Sequence, residues 1–377
     1  MYDAIVVGAG PAGSTAAIVL AQKGLHTLLV DRESFPREKA CGDAVPATCF
    51  EILRDLNVND FGPEEIFSIN RIFVKGPLKR SIALDLHQQG DANAGIVSRY
   101  VFDRALYDHA LASGAEFCQL NVQGPLLEAG KVVGIRAKSG KHEIEYRSKI
   151  VIAADGATSV IARALNPTPR TDSTTAIALR GYIETDVDLD RTIDLVFLSE
   201  VQPGYAWFFP MNKHQANIGV GMRADRYKNQ DKTLQEMLDL YLKSPEIRDR
   251  VGQHKVTDLR SWQLPLCLVD QPRVFDGALL AGDAGGFVDP LTGAGIYQAV
   301  LTGKRAAEAS IHAIEINDVS ARGLALYDKL WRKDLGRDIK RSARMYQMIT
   351  AMPSLIDGML IAARAIPSIV PYVLGKI

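Results

Sequence analysis

Residues 3–31 read Asp3-Ala4-Ile5-Val6-Val7, then Gly8-Ala9-Gly10-Pro11-Ala12-Gly13, then an apolar helical pattern through Lys23, then Thr27-Leu28-Leu29-Val30-Asp31. An apolar run, a glycine turn, a helix opened by proline and a second apolar run make one βαβ unit with short connections. Glycines at 8, 10 and 13 permit a tight turn and close backbone approach, and the helix start offers free N–H groups at its positive dipole end. Asp31, 18 residues after the last glycine, can accept from ribose hydroxyls. The unit predicts a dinucleotide site without saying which dinucleotide.

Two more strand-then-glycine signals lie far along the chain. Lys149–Ala154 ends in Asp155-Gly156, and Ala278–Ala281 ends in Gly282-Asp283 before a glycine-rich segment and the helical pattern Gly293–Ser310. Signals so widely spaced predict one doubly wound domain assembled from distant pieces. The pieces between them have strand character at Arg71–Val74, Val132–Ala137, Glu143–Tyr146, Ile177–Glu184, Thr192–Leu198, Ala206–Phe209 and Ala216–Met222, and a helix at Lys232–Lys243. A mainly antiparallel inserted sheet accounts for them. From about Asp318 the pattern is helical, punctuated by Pro353, Pro367 and Pro371. The expected fold is α/β: a Rossmann-like nucleotide domain over residues 1–67, 95–165 and 270–312, a β-rich substrate domain over 68–94 and 166–269, and C-terminal helices over 313–377.

Composition narrows the partners. Lysine plus arginine (44) equals aspartate plus glutamate (44), so the basic footprint of a nucleic-acid binder is missing. Cys41, Cys49, Cys118 and Cys267 lie far apart without C-x-x-C spacing, which predicts neither a metal site nor a disulfide framework and suits a reducing, cytoplasmic compartment. The uncharged stretch Ala4–Gln22 is broken by glycines and proline and lacks a basic leader, so it reads as strand, turn and helix and not as a signal peptide.

Later segments add to the nucleotide signal. Val151-Ile152-Ala153-Ala154-Asp155-Gly156 with its continuation to Arg163, and Ala281-Gly282-Asp283-Ala284 followed by Asp289-Pro290 and Gly293-Ala294-Gly295, resemble the Asp-Gly and Gly-Asp motifs of flavoproteins with the para-hydroxybenzoate hydroxylase fold. Phe35-Pro36-Arg37-Glu38-Lys39-Ala40-Cys41-Gly42-Asp43 resembles the segment by which geranylgeranyl reductases bring a cysteine-glycine pair towards the flavin. Tyr205-Ala206-Trp207-Phe208-Phe209-Pro210, then eight residues, then Gly219-Val220-Gly221, resembles the Y-x-W-x-F-P…G-x-G substrate-side signature of that family. The likeness spans residues 1 to about 310.

That resemblance implies non-covalent FAD held by Gly8, Gly10, Pro11, Ala12, Gly13, Asp31, Arg32, Cys41, Gly42, Arg99, Asp155, Gly156, Gly282, Asp283, Pro290, Gly293, Ala294 and Gly295. It implies an apolar isoprenoid substrate against Tyr205, Trp207, Phe209, Pro210, Gly219 and Gly221, and reduction of its carbon–carbon double bonds with Cys41, Tyr205 or water as proton source. Read on their own, Tyr205, Trp207 and Phe209 share one strand face and are either a pocket wall or core packing. Cys41 is either a reactive thiol or a small buried residue. A flavin monooxygenase or halogenase shares the nucleotide motifs, but Tyr205 stands where halogenases place tryptophan and Phe209 where they place isoleucine. A non-catalytic FAD-binding redox partner is the third reading. With one G-x-G-x-x-G in the sequence, a separate NAD(P)H domain is not expected, and the external donor is open between NAD(P)H and a redox protein such as ferredoxin.

From Ala321 to Ile377 there are ten Lys or Arg against four Asp or Glu, with Arg322–Arg344 basic and Met345–Ile377 largely apolar. Asp357, Arg364 and the prolines argue against a membrane span. Two readings stay open: peripheral contact with a bilayer, and a helix pair covering a core.

Overall fold

Val7 ends a strand, Tyr2–Val7, that is buried from Ala4 onward because it is the middle strand of a sheet covered on both faces. In this computed structural model, which describes residues 1–59, 61–62, 64–86, 94–139, 142–166 and 170–365, that strand pairs in parallel with Thr27–Asp31 on one side and with the end of His142–Ala153 on the other. Glu116–Gln119 and Ala278–Leu280 extend the parallel set outward. Helix Pro11–Gln22, buried from Pro11 to Ala21, packs against this sheet and against helix Ile296–Glu315, and their side chains join one large core.

The second sheet has seven strands in the order His254–Pro265, Thr175–Thr185, Gln215–Arg223, Gly204–Pro210, Thr192–Val196, Arg71–Lys75, Ser81–Asp85. All its pairings are antiparallel except that of Thr192–Val196 with Arg71–Lys75. Its two faces are both apolar. Ala206 and Phe208 pack with Leu234, Met237, Leu238 and Tyr241 of helix Leu234–Leu242, while Trp207 and Phe209 belong to a separate cluster on the opposite face. That helix starts on a capping box in which Thr233 and Glu236 satisfy each other's backbone N–H.

Several expectations need correction. Val132–Ala137 and Glu143–Tyr146 are not part of the inserted sheet: Asn121–Glu128, Lys131–Ser139 and His142–Ala153 form an antiparallel meander that grows out of the nucleotide sheet. Glu143–Tyr146 and the strand ending at Asp155 are one continuous strand, its first half in the meander and its second half parallel to Tyr2–Val7. Strands His254–Pro265 and Ser81–Asp85 carry many exposed residues and little apolar patterning. The helical pattern placed at Gly293 starts at Ile296, because Gly293 has φ +69°.

Helices Leu326–Ala351 and Leu355–Ala365 close the chain's described part. Trp331, Leu335 and Ile339 join the nucleotide-domain core, whereas Ile349, Ile356 and Leu360 join the cluster on the Trp207 face of the inserted sheet. Asp357 is buried and accepts hydrogen bonds from the backbone N–H of Leu78 (3.1 Å) and Arg80 (3.4 Å) in the turn between Arg71–Lys75 and Ser81–Asp85. The carboxylate that sequence treated as a break in a membrane span is therefore a clip for the last helix. Among the described residues no helix is long and apolar enough to cross a membrane. Pro367, Pro371 and the rest of the segment to Ile377 lie outside the described residues.

Candidate functional site

A cavity of about 980 Å³ is lined from both sheets and from the C-terminal helices. Its polar end is made at the C-terminal edge of the parallel strands, the usual ligand position in a doubly wound fold. Gly8 has φ +97°, and a Cβ there would sit 2.3 Å from the carbonyl oxygen of Ala154. A Cβ on Gly13 would sit 1.7 Å from the carbonyl oxygen of Gly8. These two glycines seat the helix against the loop. Gly10 differs, because its Cβ position opens onto the guanidinium groups of Arg37 (3.5 Å) and Arg99 (3.9 Å). A helix N-terminus facing two guanidinium groups forms an anion cradle.

The groups around it are held by local bonds. Asp31 accepts from the N–H of Ala9 (2.8 Å) and of Glu33 (3.0 Å). Arg99, on the first turn of helix Arg99–Ala112, is buried in a two-pronged pair with Asp103 (2.6 and 2.7 Å). Arg37 Nη1 is buried and ion-paired with Asp103 Oδ2 at 3.1 Å without a hydrogen bond. Asp155 Oδ2 accepts from Val160 N–H (2.9 Å) while its Oδ1 is buried without a partner, and burial raises its pKa. Gly282 and Asp283 form a one-turn helix lining the same end. Lys39, over the Trp262 ring at 3.7 Å, has its pKa lowered by burial to about 8.

The aromatic wall has a simple construction. Strands Gly204–Pro210 and Gln215–Arg223 pair so that Tyr205 faces Gly221, Trp207 faces Gly219 and Phe209 faces Asn217. Residues directly opposite share a face, and a Cβ on Gly219 would collide with the Trp207 ring at 2.2 Å. The G-x-G is thus the register partner of the aromatic stripe, clearing room for its rings. Successive centroids lie 6.1 and 6.3 Å apart. Trp207 Nε1 donates to Asn217 Oδ1 (2.8 Å), and the Tyr205 hydroxyl donates to the carbonyl of Thr292. Beyond the rings the cavity is aliphatic, with Ile72, Val74, Ile193, Leu195, Ile349 and Leu360.

The loop at Cys41 closes on this wall, with Gly42 against Phe209 and Trp207. Asn217 Nδ2 donates to the Cys41 carbonyl (2.7 Å) and to Asp43 Oδ2 (2.8 Å). Cys41 Sγ accepts from Asp43 N–H at 3.4 Å, and burial pushes its thiol pKa up.

Of the expected residues, Gly8, Gly10, Pro11, Ala12, Asp31, Arg32, Cys41, Gly42, Arg99, Asp155, Gly156, Gly282, Asp283, Pro290, Gly293, Ala294 and Gly295 line this one cavity, as do Tyr205, Trp207, Phe209 and Gly221. Three do not. Gly13 is spent on helix packing, Gly219 lies behind the Trp207 ring, and Pro210 ends the strand beyond the cavity. Sequence reasoning overlooked Arg37, Asp43, Tyr182 and Asn217. The last could have been found by period two, since 217, 219 and 221 alternate on one face.

The cradle with its two guanidinium groups and the glycine turn suit the charged pyrophosphate of a dinucleotide, the bare Asp155 Oδ1 can accept from a hydroxyl, and the aromatic-walled space beyond Gly42 is apolar enough for a flavin ring system and more. Comparison with known proteins agrees. Residues 1–303 match the family model described as FAD binding domain. The chain is 32% identical over 352 residues to a digeranylgeranylglycerophospholipid reductase of Methanosphaerula palustris, covering 91% of this chain and 85% of that one. It is 33% identical to the Thermoplasma volcanium protein of the same name, covering 87% and 83%. Among solved structures, a geranylgeranyl bacteriochlorophyll reductase-like protein from Thermoplasma acidophilum superposes with a TM-score of 0.83 at 28% identity, over 93% of this chain and 87% of that chain. A flavin-dependent brominase superposes at 0.76 with 24% identity over 95% and 92%, a likeness of fold alone.

Proposed function

Because the chain belongs to the family of FAD-binding oxidoreductases that includes the digeranylgeranylglycerophospholipid reductases, we propose that it saturates carbon–carbon double bonds of an isoprenoid chain. The observation that carries this reading is the register-matched wall of Tyr205, Trp207 and Phe209, which leads from the Cys41–Gly42 loop into a part of the cavity lined by aliphatic side chains.

Gly8, Gly10 and the start of helix Pro11–Gln22 would hold the pyrophosphate with Arg37 and Arg99, Asp31 would face the ribose, and the Asp283 and Gly293–Gly295 segment would face the remainder of the cofactor. Bound and reduced, FAD supplies the hydride. The protein supplies the shape, the exclusion of water and the proton. Cys41 is the better donor: its thiol stays protonated at neutral pH, whereas the Tyr205 proton is committed to the Thr292 carbonyl. Incubating dithionite-reduced protein anaerobically with geranylgeranyl lipids should add two hydrogens per saturated bond by mass spectrometry. An oxygenated product formed on admitting air, with no saturation, favours the oxygenase reading instead. An FAD-loaded protein that turns over neither favours the redox-partner reading. Re-reduction comes from outside, by NAD(P)H or a ferredoxin-like protein, and stopped-flow bleaching of the flavin with each donor distinguishes them.

A lipid substrate also asks for contact with its bilayer. Met348, Met352 and Ile361 are half exposed or more at the junction of the last two helices, next to the residues that line the aliphatic chamber, and the preceding helix carries Lys340, Arg341 and Arg344. This supports peripheral, salt-sensitive association with an anionic surface. Sedimentation with anionic and neutral liposomes at low and high salt tests it; protein left in the supernatant throughout rejects it.

A further inference from the structure

Asp43 follows the Cys41–Gly42 pair and has no part in the scheme above. It is fully buried, lines the cavity, and holds φ +63° in the left-handed region, where a non-glycine residue is uncommon. Its backbone is fixed by pairing: the Asp43 carbonyl accepts from Val97 N–H at 2.9 Å. Its two carboxyl oxygens live in different surroundings. Oδ2 accepts from Asn217 Nδ2 at 2.8 Å and from the Tyr182 hydroxyl at 3.2 Å. Oδ1 is buried and has no hydrogen-bond partner.

A carboxylate with one doubly solvated oxygen and one bare buried oxygen is a poor anion and a good acid, because a proton on Oδ1 removes the uncompensated charge while Oδ2 keeps both donors. We propose that Asp43 is the proton reserve of the site, holding on Oδ1 the proton that restores the Cys41 thiol after each reduction. The proposal rests on the isoprenoid-reductase reading. In the proton half of the reaction the Cys41 S–H bond breaks, a C–H bond forms on the substrate and the electron pair stays on sulfur. The Asp43 O–H bond then breaks, an S–H bond forms, and the carboxylate is left with Asn217 and Tyr182 as donors until water returns a proton. The hydride for the other alkene carbon comes from the reduced cofactor, so two hydrogens are gained and none is unaccounted for.

The surrounding charges agree with a reserve that empties and refills near neutrality. Burial raises the Asp43 pKa to about 7, against the opposing pull of Asn217, Arg180, Arg99 and Tyr182. Arg180, itself buried, donates through Nη1 to Asp258 (2.8 Å), while Nη2 lies 3.6 Å from Glu38 and neither Nη2 nor Nε has a hydrogen-bond partner. Arg99 is paired with Asp103 and also faces the Cys41 thiol, where it opposes the rise that burial gives the thiol pKa. Neither cation makes a hydrogen bond to Asp43, so neither holds it permanently ionised. Cys41 is the remaining titratable group beside it, held by the Asp43 N–H.

Asp43→Asn separates this role from a structural one, since the amide keeps an acceptor towards Asn217 and Tyr182 and has no proton to give. The first saturated bond per reduced enzyme should form at the wild-type rate, because Cys41 starts protonated, while later turnovers slow about tenfold or more at neutral pH. Substrate-free readouts follow the same group. The infrared difference between wild type and Asn variant should contain a protonated carboxyl band that titrates away near pH 7, and iodoacetamide should alkylate Cys41 severalfold faster in the variant above that pH, where the wild-type carboxylate disfavours the thiolate. An Asn variant with wild-type multiple turnover, or a spectrum without a titrating carboxyl band, overturns the proposal. If wild type reduces no isoprenoid, the function fails by itself, and the infrared and alkylation readouts still decide whether Asp43 titrates beside Cys41. Should the Asn variant fail to fold, Tyr182→Phe, which removes a donor to Oδ2, must move the band to higher pH; an unmoved band is a refutation.

Discussion

At the polar end of the cavity the chain makes its site mainly with backbone: a glycine turn, two helix starts and carboxylates tied to neighbouring N–H groups. At the apolar end it uses side chains from the inserted sheet and the last two helices, brought together across more than a hundred residues of sequence, as Ile72 is with Ile193 and both with Leu360. The first end depends on distances that no side chain can soften. The second depends on the fit of rings and branched chains, which tolerates exchange so long as volume is kept. Substitutions at the two ends should therefore fail in different ways.

The sharpest contrast lies within the glycine turn. Gly13→Val puts a branched side chain where even a Cβ lies 1.7 Å from the Gly8 oxygen, so helix and strand must part. A loss of about 5 kcal/mol or more in denaturant unfolding is expected, with little folded protein recovered. Gly10→Ala meets only guanidinium tips at 3.5 Å and beyond. It should leave the melting curve nearly unchanged while weakening FAD retention, and equal effects of the two would erase the distinction between packing and cradle glycines.

Trp207→Ala is expected to cost about 3–5 kcal/mol, since the indole is buried and its N–H satisfies Asn217, and turnover should fall while FAD content is largely kept. Gly219→Ala should be severely destabilising alone and distinctly less so in the Trp207→Ala background, where only the clash with the Leu179 carbonyl oxygen (2.5 Å) remains. A double-mutant cycle that comes out additive would contradict the register-matched wall.

Asp43→Asn should move stability the other way. The folded-state pKa is raised from 3.8 to about 7, so between those values the folded protein binds more protons than the unfolded chain and wild-type stability falls as pH rises, levelling off above the folded pKa. The variant escapes this penalty. Its advantage in thermal melts should grow from pH 4 to pH 8 to at most about 4 kcal/mol, in a protein that turns over less well. A pH-independent difference would mean that Asp43 stays ionised.

The smallest effect is expected at the far wall. Asp357→Ala removes the acceptor of two N–H groups on exposed residues, for about 1 kcal/mol. It should raise KM for prenyl substrates without altering FAD retention. Altered retention would mean that the last helix supports the polar end as well.

The same division explains what could be read from sequence. Glycine turns and the strands feeding them are local, so Tyr2–Val7, Pro11–Gln22 and Thr27–Asp31 were legible nearly to the residue, and seventeen of the eighteen cofactor residues expected fall on one cavity. The aromatic stripe was legible because its period is two. Illegible were features set by distant partners: the edge strands His254–Pro265 and Ser81–Asp85, which bury little and so show little pattern, and the continuity of His142–Ala153, whose two halves serve different sheet neighbours. Arg37 and Asp43 lie in the segment Phe35–Asp43, but the ion pair of the one with Asp103 and the bare oxygen of the other are properties of what surrounds them. No periodicity announces them.

The clip formed by Asp357 also gives the molecule a built-in clock. The amide hydrogens of Leu78 and Arg80 are shielded by a carboxylate on another element, so each can exchange with solvent deuterium only while helix Leu355–Ala365 is unseated. Their exchange rate therefore counts excursions of the chamber's end wall, site by site and without any label on the substrate. Filling the aliphatic chamber should slow both amides together, whereas the neighbouring Lys79 amide, bonded to Gly76 within its own turn, should keep its pace.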